Sequence, residues 1–249
     1  MIRLIDVGKR FEENWALRHV NLEIEKGETL AIIGGSGSGK STLLRLLIGL
    51  IQPTEGEIWM GDKEIGHMTE RELKDIRLHT SMVFQYSALF DSMTVGDNVA
   101  FGLREHTKLK EPEIQKIVRE KLALVGLEGV ENMMPGELSG GMKKRVGLAR
   151  TIAIEPEVIF YDEPSSGLDP IMTEKIDELI IYTQRELHVT SVVVTHDMAS
   201  ACRISDRIAM IYEGELIAVD TSEKFQKLQD PRVQAFFRTL RTTKEGEGA

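Results

Sequence analysis

Eight consecutive residues, Gly34-Gly35-Ser36-Gly37-Ser38-Gly39-Lys40-Ser41, have the types and spacing to hold a phosphate chain. Gly34, Gly37 and Gly39 lack a β-carbon, so the backbone can curl and aim several N–H groups at one anion. The apolar run Leu30-Ala31-Ile32-Ile33 precedes the loop, and Thr42-Leu43-Leu44-Arg45-Leu46-Leu47-Ile48 follows it with helical character. Strand, glycine loop and helix in that order form a phosphate cradle, because the helix start adds unpaired N–H groups and a positive dipole end. Lys40 has the reach to meet β- and γ-phosphates, and the Ser41 hydroxyl suits Mg²⁺. A flexible Gly/Ser linker would need neither flanking element.

Further polar residues gain meaning from that loop. Val158-Ile159-Phe160-Tyr161-Asp162-Glu163 reads as a buried strand ending in two carboxylates. Alternation turns adjacent side chains apart, so Asp162 can hold Mg²⁺ while Glu163 orients, or accepts a proton from, an attacking water. Alone the pair would read as a strand-end turn; beside the glycine loop it reads as catalytic. Gln85 ends the short strand Ser81-Met82-Val83-Phe84 and is either a Mg²⁺ or water ligand or an ordinary exposed amide. Thr190-Ser191-Val192-Val193-Val194-Thr195 reads as another buried strand, and His196 follows its carboxyl end. Ligands gather at the carboxyl ends of such strands, so His196 either senses a γ-phosphate or is structural. Phe11, in the first connection, either stacks on a nucleobase or joins the core. Ser139 caps a helix, and Gly140 and Gly141 beside it free backbone N–H groups, giving either an ordinary cap or a second anion cradle. Lys143, Lys144, Arg145 and Arg150 read as a solvated helix face.

The elements that must position these groups follow from periodicity. Ile2 to Val7, Leu17 to Ile24 and Thr29 to Ile33 read as strands, and Gly56 to Asp62 as a strand and tight turn. Glu70 to Leu78 reads as a short helix. From Asp97 to about Ala153 the strand signal gives way to helix. Within Glu111 to Leu127, Ile114, Ile117, Val118, Leu122 and Val125 share one face, with Pro112 near the start. Ser166-Gly167-Leu168-Asp169-Pro170 turns the chain into a helix over Ile171 to Leu187. Arg207 to Tyr212 and Glu215 to Val219 form a hairpin about Glu213-Gly214. After Asp230-Pro231, the stripe Val233, Phe236, Phe237 and Leu240 has helical spacing and must bury, on its own domain or on a partner. Thr242 to Ala249 carries no packing signal.

The whole chain has 249 residues, 41% of them hydrophobic, enough for a substantial core. Its net charge of -9 argues against a broad nucleic-acid footprint. One cysteine, Cys202, excludes an internal disulfide framework and fits a reducing compartment. The amino end has no secretory pattern, and no apolar run reaches the roughly 18 residues of a spanning helix. A membrane role must therefore come through a partner.

Taken in order, Gly34 to Ser41, Gln85, Leu138-Ser139-Gly140-Gly141, Asp162-Glu163, Ser166 to Asp169 and His196 resemble the nucleotide-binding subunit of ATP-binding cassette (ABC) transporters, over residues 1 to about 225. The resemblance implies an α/β fold: a P-loop NTPase (RecA-like) core with an N-terminal antiparallel β subdomain, over 1–85 and 155–229. An inserted α-helical subdomain would span 86–154, and a C-terminal helix and tail 230–249. It implies ATP and Mg²⁺ as cofactors. The nucleotide would contact Phe11, Gly34, Gly35, Ser36, Gly37, Ser38, Gly39, Lys40, Ser41, Thr42, Gln85, Asp162, Ser139, Gly140 and Gly141. Lys40, Glu163 and His196 would act in catalysis, and Ser41, Gln85 and Asp162 on the metal. It implies a head-to-tail pair of copies, in which the Ser139 segment of one closes the phosphate site of the other.

Met142 departs from the commonest signature, where many relatives carry Gln; a thioether accepts hydrogen bonds only weakly. Leu138 to Met142, Phe84-Gln85, Ala88 to Ser92, Gly167 to Ile171 and Asp230 to Val233 are similar to the Mla/Mce-type lipid-transport branch. That branch implies phospholipid transport at the cytoplasmic face of the inner membrane. The partners would be permease subunits, an Mce-type substrate-binding protein and a small cytoplasmic accessory subunit, with no nucleic acid. Tyr86 to Leu103 is the expected coupling surface. The alternatives are an importer ATPase for a small polar solute such as an amino acid, and a non-transport soluble ABC ATPase.

Overall fold

The computed structural model describes residues 1–237. They form two compact units, Met1–Ile76 with the described residues from Thr190 onward, and Arg77–Val189. Leu240 of the apolar stripe and the tail from Thr242 lie outside the described residues.

In the first unit, β1 (Ile2–Phe11) and β2 (Asn14–Ile24) pair antiparallel, with Leu4 opposite Leu22. Ile2 and Leu4 point inward; Asp6, at φ 51, then bulges the strand and resets the alternation so that Val7 is the next buried side chain. This longer strand carries Phe11 as its last residue, where the sequence placed it in a connection. β3 (Thr29–Ile33) is buried along its whole length, as a strand covered on both faces must be, and runs into the glycine loop and α1 (Lys40–Leu47). β4 (Glu55–Met60) and β5 (Lys63–Glu64) complete the antiparallel sheet beside β1, and α2 (Glu70–Leu78) follows.

The second unit opens with β6 (Thr80–Val83). Three helices follow: α3 (Val95–His106), α4 (Glu111–Leu124) and α5 (Gly140–Ala153). They pack through buried Val99, Leu103, Val118, Leu122, Val146 and Ile152, each contributing roughly 1.5–3 kcal/mol. α3 starts two residues earlier than the helical periodicity suggests, because the Thr94 hydroxyl caps it by accepting from Asp97 N–H. β7 (Val158–Asp162) then pairs parallel with β6, Val83 opposite Tyr161, so Gln85 and the carboxylate pair leave the same edge. α6 (Pro170–Leu187) closes the unit, its start capped by Asp169 accepting from Met172 N–H.

The chain returns to the first unit through β8 (Thr190–Val194) and α7 (Met198–Ile204). β9 (Arg207–Tyr212), β10 (Glu215–Thr221) and the short α8 (Ser222–Phe225) follow. β8 and β9 flank β3 in parallel, Ile32 opposite Val194 and Ala209, and this register brings His196 beside the glycine loop. Residues 231–237 are helical, with Val233 fully buried among Ala31, Met210 and Phe225. Of the two packings open to the stripe, Val233, Phe236 and Phe237 take the one on their own unit.

Candidate active site

The phosphate loop is shaped by contacts that leave no room for side chains at two glycines. A β-carbon on Gly34 would collide with the Ile211 carbonyl, and one on Gly39 would lie 2.6 Å from the Ala16 carbonyl. Gly39 also sits at φ 110, where other residues are strained. At Gly35 and Gly37 a β-carbon would instead stand in open space. Gly39 is the N-cap of α1; no side chain caps that helix and no acidic residue occupies its first turn. A positive helix end with neither cap nor acidic neighbour favours an anion.

Lys40 is buried, and its Nζ donates to the Gly34 and Gly35 carbonyls, 2.8 Å each, so its charge lies across the mouth of the loop. The buried Ser38 hydroxyl has no partner among the described residues, although a buried hydroxyl normally has one. Ser36 and Ser41 are exposed and Thr42 half-buried. His196 is exposed, and its neighbours are tied down: Thr195 N–H donates to the Ile32 carbonyl, and Asp197 caps α7 by accepting from Ala199 and Ser200 N–H. His196, Gly35, Ser36, Gly37 and Ser38 line a cavity of about 870 Å³, together with Tyr212, Arg232 and Phe236. Arg232 lies over the Tyr212 ring and forks onto Asp230, whose carboxyl it pulls down to about 2. Phe11 is 47% exposed, with the Lys9 ammonium 5.3 Å from its ring centre. Exposure at a strand end removes the core reading for Phe11.

The second unit holds the remaining candidates. Gln85 Nε2 donates to Ser166 Oγ at 3.3 Å, which leaves the amide oxygen available as a hard donor. Asp162 ends β7, and Glu163 turns sharply with φ 47, a left-handed conformation that costs a non-glycine residue about 1–2 kcal/mol. Bonds that hold that turn include Ser166 N–H to the Glu163 carbonyl at 3.1 Å and Lys144 Nζ to the carbonyls of Pro164 at 2.9 Å and Glu163 at 3.5 Å. Ser139 is the N-cap of α5, its hydroxyl accepting from Met142 N–H at 3.3 Å; Gly140 beside it is exposed.

Lys144, Arg145 and Arg150 of α5 are not part of the solvated face their sequence suggests. Lys144 is buried against the Glu163-Pro164 turn, and burial lowers its ammonium pKa while the Glu163 charge partly opposes this. Arg145 Nη1 donates to the Val125 and Gly126 carbonyls, and Arg150 to those of Ser87 and Ala88. Burial lowers both guanidinium pKa values. Helical spacing could have hinted at this, because Lys144 falls in line with buried Gly141 and Leu148. Two further residues escaped the sequence reading: Trp15, flanked by the Arg10 and Arg18 guanidiniums, and Asn98, fully buried on α3.

Phe11, the Gly34 to Thr42 segment and His196 therefore belong to the first unit; Gln85, Ser139, Gly140, Gly141, Asp162 and Glu163 belong to the second. Among the described residues no helix is long and apolar enough to cross a membrane.

Residues 17–166 match the family described as ABC transporter. The chain is 44% identical over 220 residues to the intermembrane phospholipid transport system ATP-binding protein MlaF of Haemophilus influenzae, covering 88% of this chain and 83% of that protein. It is 42% identical over 240 residues to the probable ribonucleotide transport ATP-binding protein mkl of Mycobacterium tuberculosis, covering 96% and 67%. Among solved structures it is similar to a dimeric post-hydrolysis state of the ATP-binding cassette MJ0796 bound to ADP and Pi, with TM-score 0.82 and 35% identity, covering 89% of this chain and 99% of that one. The chain belongs to the ABC transporter family, as an ATP-binding subunit whose hydrolysis of ATP is coupled to transport.

Proposed function

We propose that this subunit energises phospholipid movement at the inner membrane, bound to its cytoplasmic face through permease subunits. An Mce-type lipid-binding protein and a small accessory subunit complete the proposed assembly. The observation that carries the lipid reading is the identity to MlaF over most of both chains. Tyr86, 87% exposed, and the half-exposed Phe84, Phe90 and Phe101 offer the permease an aromatic surface within or beside the expected coupling stretch.

The proposed chemistry is in-line attack of water on the γ-phosphorus. Lys40 and the loop amides position and neutralise the phosphates, and Phe11 stacks on the adenine. Glu163 orients the water and takes its proton, while His196 contacts the γ-phosphate end. Positioning and charge stabilisation are the protein's main contributions to such transfers. Ser41, Gln85 and Asp162 would hold Mg²⁺: hydroxyl, amide oxygen and carboxylate are the hard donors this ion prefers, and the ion would supply charge neutralisation on the phosphate oxygens. A second copy supplies Ser139, Gly140 and Gly141 to the phosphates. The dimeric state of the MJ0796 cassette supports that arrangement, as does a second anion-ready helix start in a chain that already carries a phosphate loop.

Glu163→Gln keeps the shape of the turn but removes the base. Turnover should fall by roughly 10²–10⁴-fold with ATP affinity retained. Near-normal hydrolysis by this variant would remove Glu163 from its role. The cargo is tested by purifying the subunit with its membrane partners and identifying bound small molecules by mass spectrometry. Phospholipid enriched over an unrelated permease in the same detergent is expected; an amino acid or ribonucleotide in its place overturns the lipid reading.

A further inference from the structure

The loop that leaves Gln85 is held in an unusual way. Ser87 and Ala88 both adopt left-handed conformations, φ 62 and φ 45, so two consecutive carbonyls turn toward one side. Arg150 meets both: Nη2 donates to the Ser87 carbonyl at 2.9 Å and Nη1 to the Ala88 carbonyl at 2.7 Å. The guanidinium also lies 5.9 Å from the centre of the Phe90 ring. On the far side of that residue, fully buried Asn98 closes a second clamp. Its Oδ1 accepts from Phe90 N–H, and its Nδ2 donates to the carbonyls of Phe90, Met93 and Thr94. Even the backbone approach is close, for a β-carbon on Gly147 of α5 would come within 3.4 Å of the Ser87 carbonyl.

Arg150 stands near the carboxyl end of α5, and Ser139 caps its amino end. They are about 16 Å apart along a helix rising 1.5 Å per residue. Midway, Lys144 grips the Pro164 carbonyl beside Glu163. One helix thus touches the signature, the catalytic turn and the outlet of Gln85.

We propose that Arg150 is a positioning residue that locks the 87–90 loop to α5, so that displacement of the loop shifts the Ser139 end of the helix as one rigid piece. A planar fork suits this task because it binds two carbonyls at fixed spacing and stacks on a ring; a lysine offers one point of attachment. The inference rests on the reading of Ser139 as a phosphate-facing group.

The test uses the full chain carrying Cys202→Ala, Tyr86→Cys and Lys143→Cys, spin-labelled at the two new cysteines, with and without Arg150→Met. The label distance should be narrowly distributed in the parent and broadened by Arg150→Met. In the unlabelled chain Arg150→Met should lower kcat for ATP about tenfold with KM within about twofold, because misplacement affects chemistry more than ground-state binding. Arg150→Lys, which keeps the charge and is the milder change to the fold, should give intermediate broadening and intermediate kcat. An unchanged label distribution in either variant overturns the proposal. Ser139→Arg separates the two readings: it should abolish hydrolysis while leaving the distribution narrow. Normal hydrolysis by that variant would defeat the Ser139 reading, with the label distance still reporting on the strut.

Discussion

The glycine-bearing starts of α1 and α5 are built on opposite plans. At Gly34 to Ser41 the glycines are required by the subunit itself: side chains at Gly34 and Gly39 would strike the backbone of neighbouring strands. At Ser139 to Gly141 no such need exists. Gly140 faces open space, and a β-carbon on Gly141 would meet only the Cε end of Met172, a flexible side chain that can swing away. The α5 start is capped by its own serine, whereas α1 has no side-chain cap. The first cradle is explained by its own fold; for the second, packing within the subunit supplies no such reason.

Paired alanine substitutions test that contrast. Gly39→Ala combines a left-handed φ with a backbone clash, and the two should destabilise the first unit by about 2–4 kcal/mol. ATP binding should be lost with it, measured by urea titration and nucleotide fluorescence. Gly141→Ala should leave stability within about 1 kcal/mol, since alanine is the better helix former. Yet it should cut ATPase activity severely by crowding the surface offered to the second copy. If Gly141→Ala hydrolyses ATP normally, or if Gly39→Ala binds ATP as before, the two cradles do not differ in the way their packing indicates.

The same contrast explains how much the sequence disclosed. The phosphate loop was legible because its determinants are local: strand, four glycines, lysine and helix lie within one short stretch, and the parallel strands β3 and β8 follow from the apolar residues Leu30 to Ile33 and Val192 to Val194. Asp162 and Glu163 were legible through the same strand logic. What stayed hidden depends on contacts between distant segments. Lys144 and Arg150 look like any charged pair on a helix until Pro164, Ser87 and Ala88 are brought to them. Phe11 reads as part of a connection because the bulge at Asp6 breaks the alternation and hides the second half of β1. Asn98 carried no signal, for its four bonds all go to backbone groups from Phe90 to Thr94.

Reliance on long polar links should also make the second unit the more acid-sensitive near α3. Arg104 donates to Asp97 at 2.9 Å and forks onto Glu111 at 2.6 and 3.2 Å, tying α3 to the start of α4. The Arg104 bond, with a second from Thr94, lowers the Asp97 pKa below its ordinary 3.8. A carboxylate with a depressed folded pKa contributes stability that is present above about pH 4 and lost as pH falls through the folded value. Asp97 is 42% exposed on its side chain, so solvent screening keeps the contribution below about 1 kcal/mol. Asp97→Asn should therefore weaken protection of α3 amides from hydrogen exchange slightly at pH 7 and less at acid pH, as the parent loses the charge on passing through its own depressed value. The phosphate-loop amides should show no difference at either pH, because no carboxylate caps α1. Equal acid loosening of both regions would mean that the ion-pair links around α3 do not set its local stability.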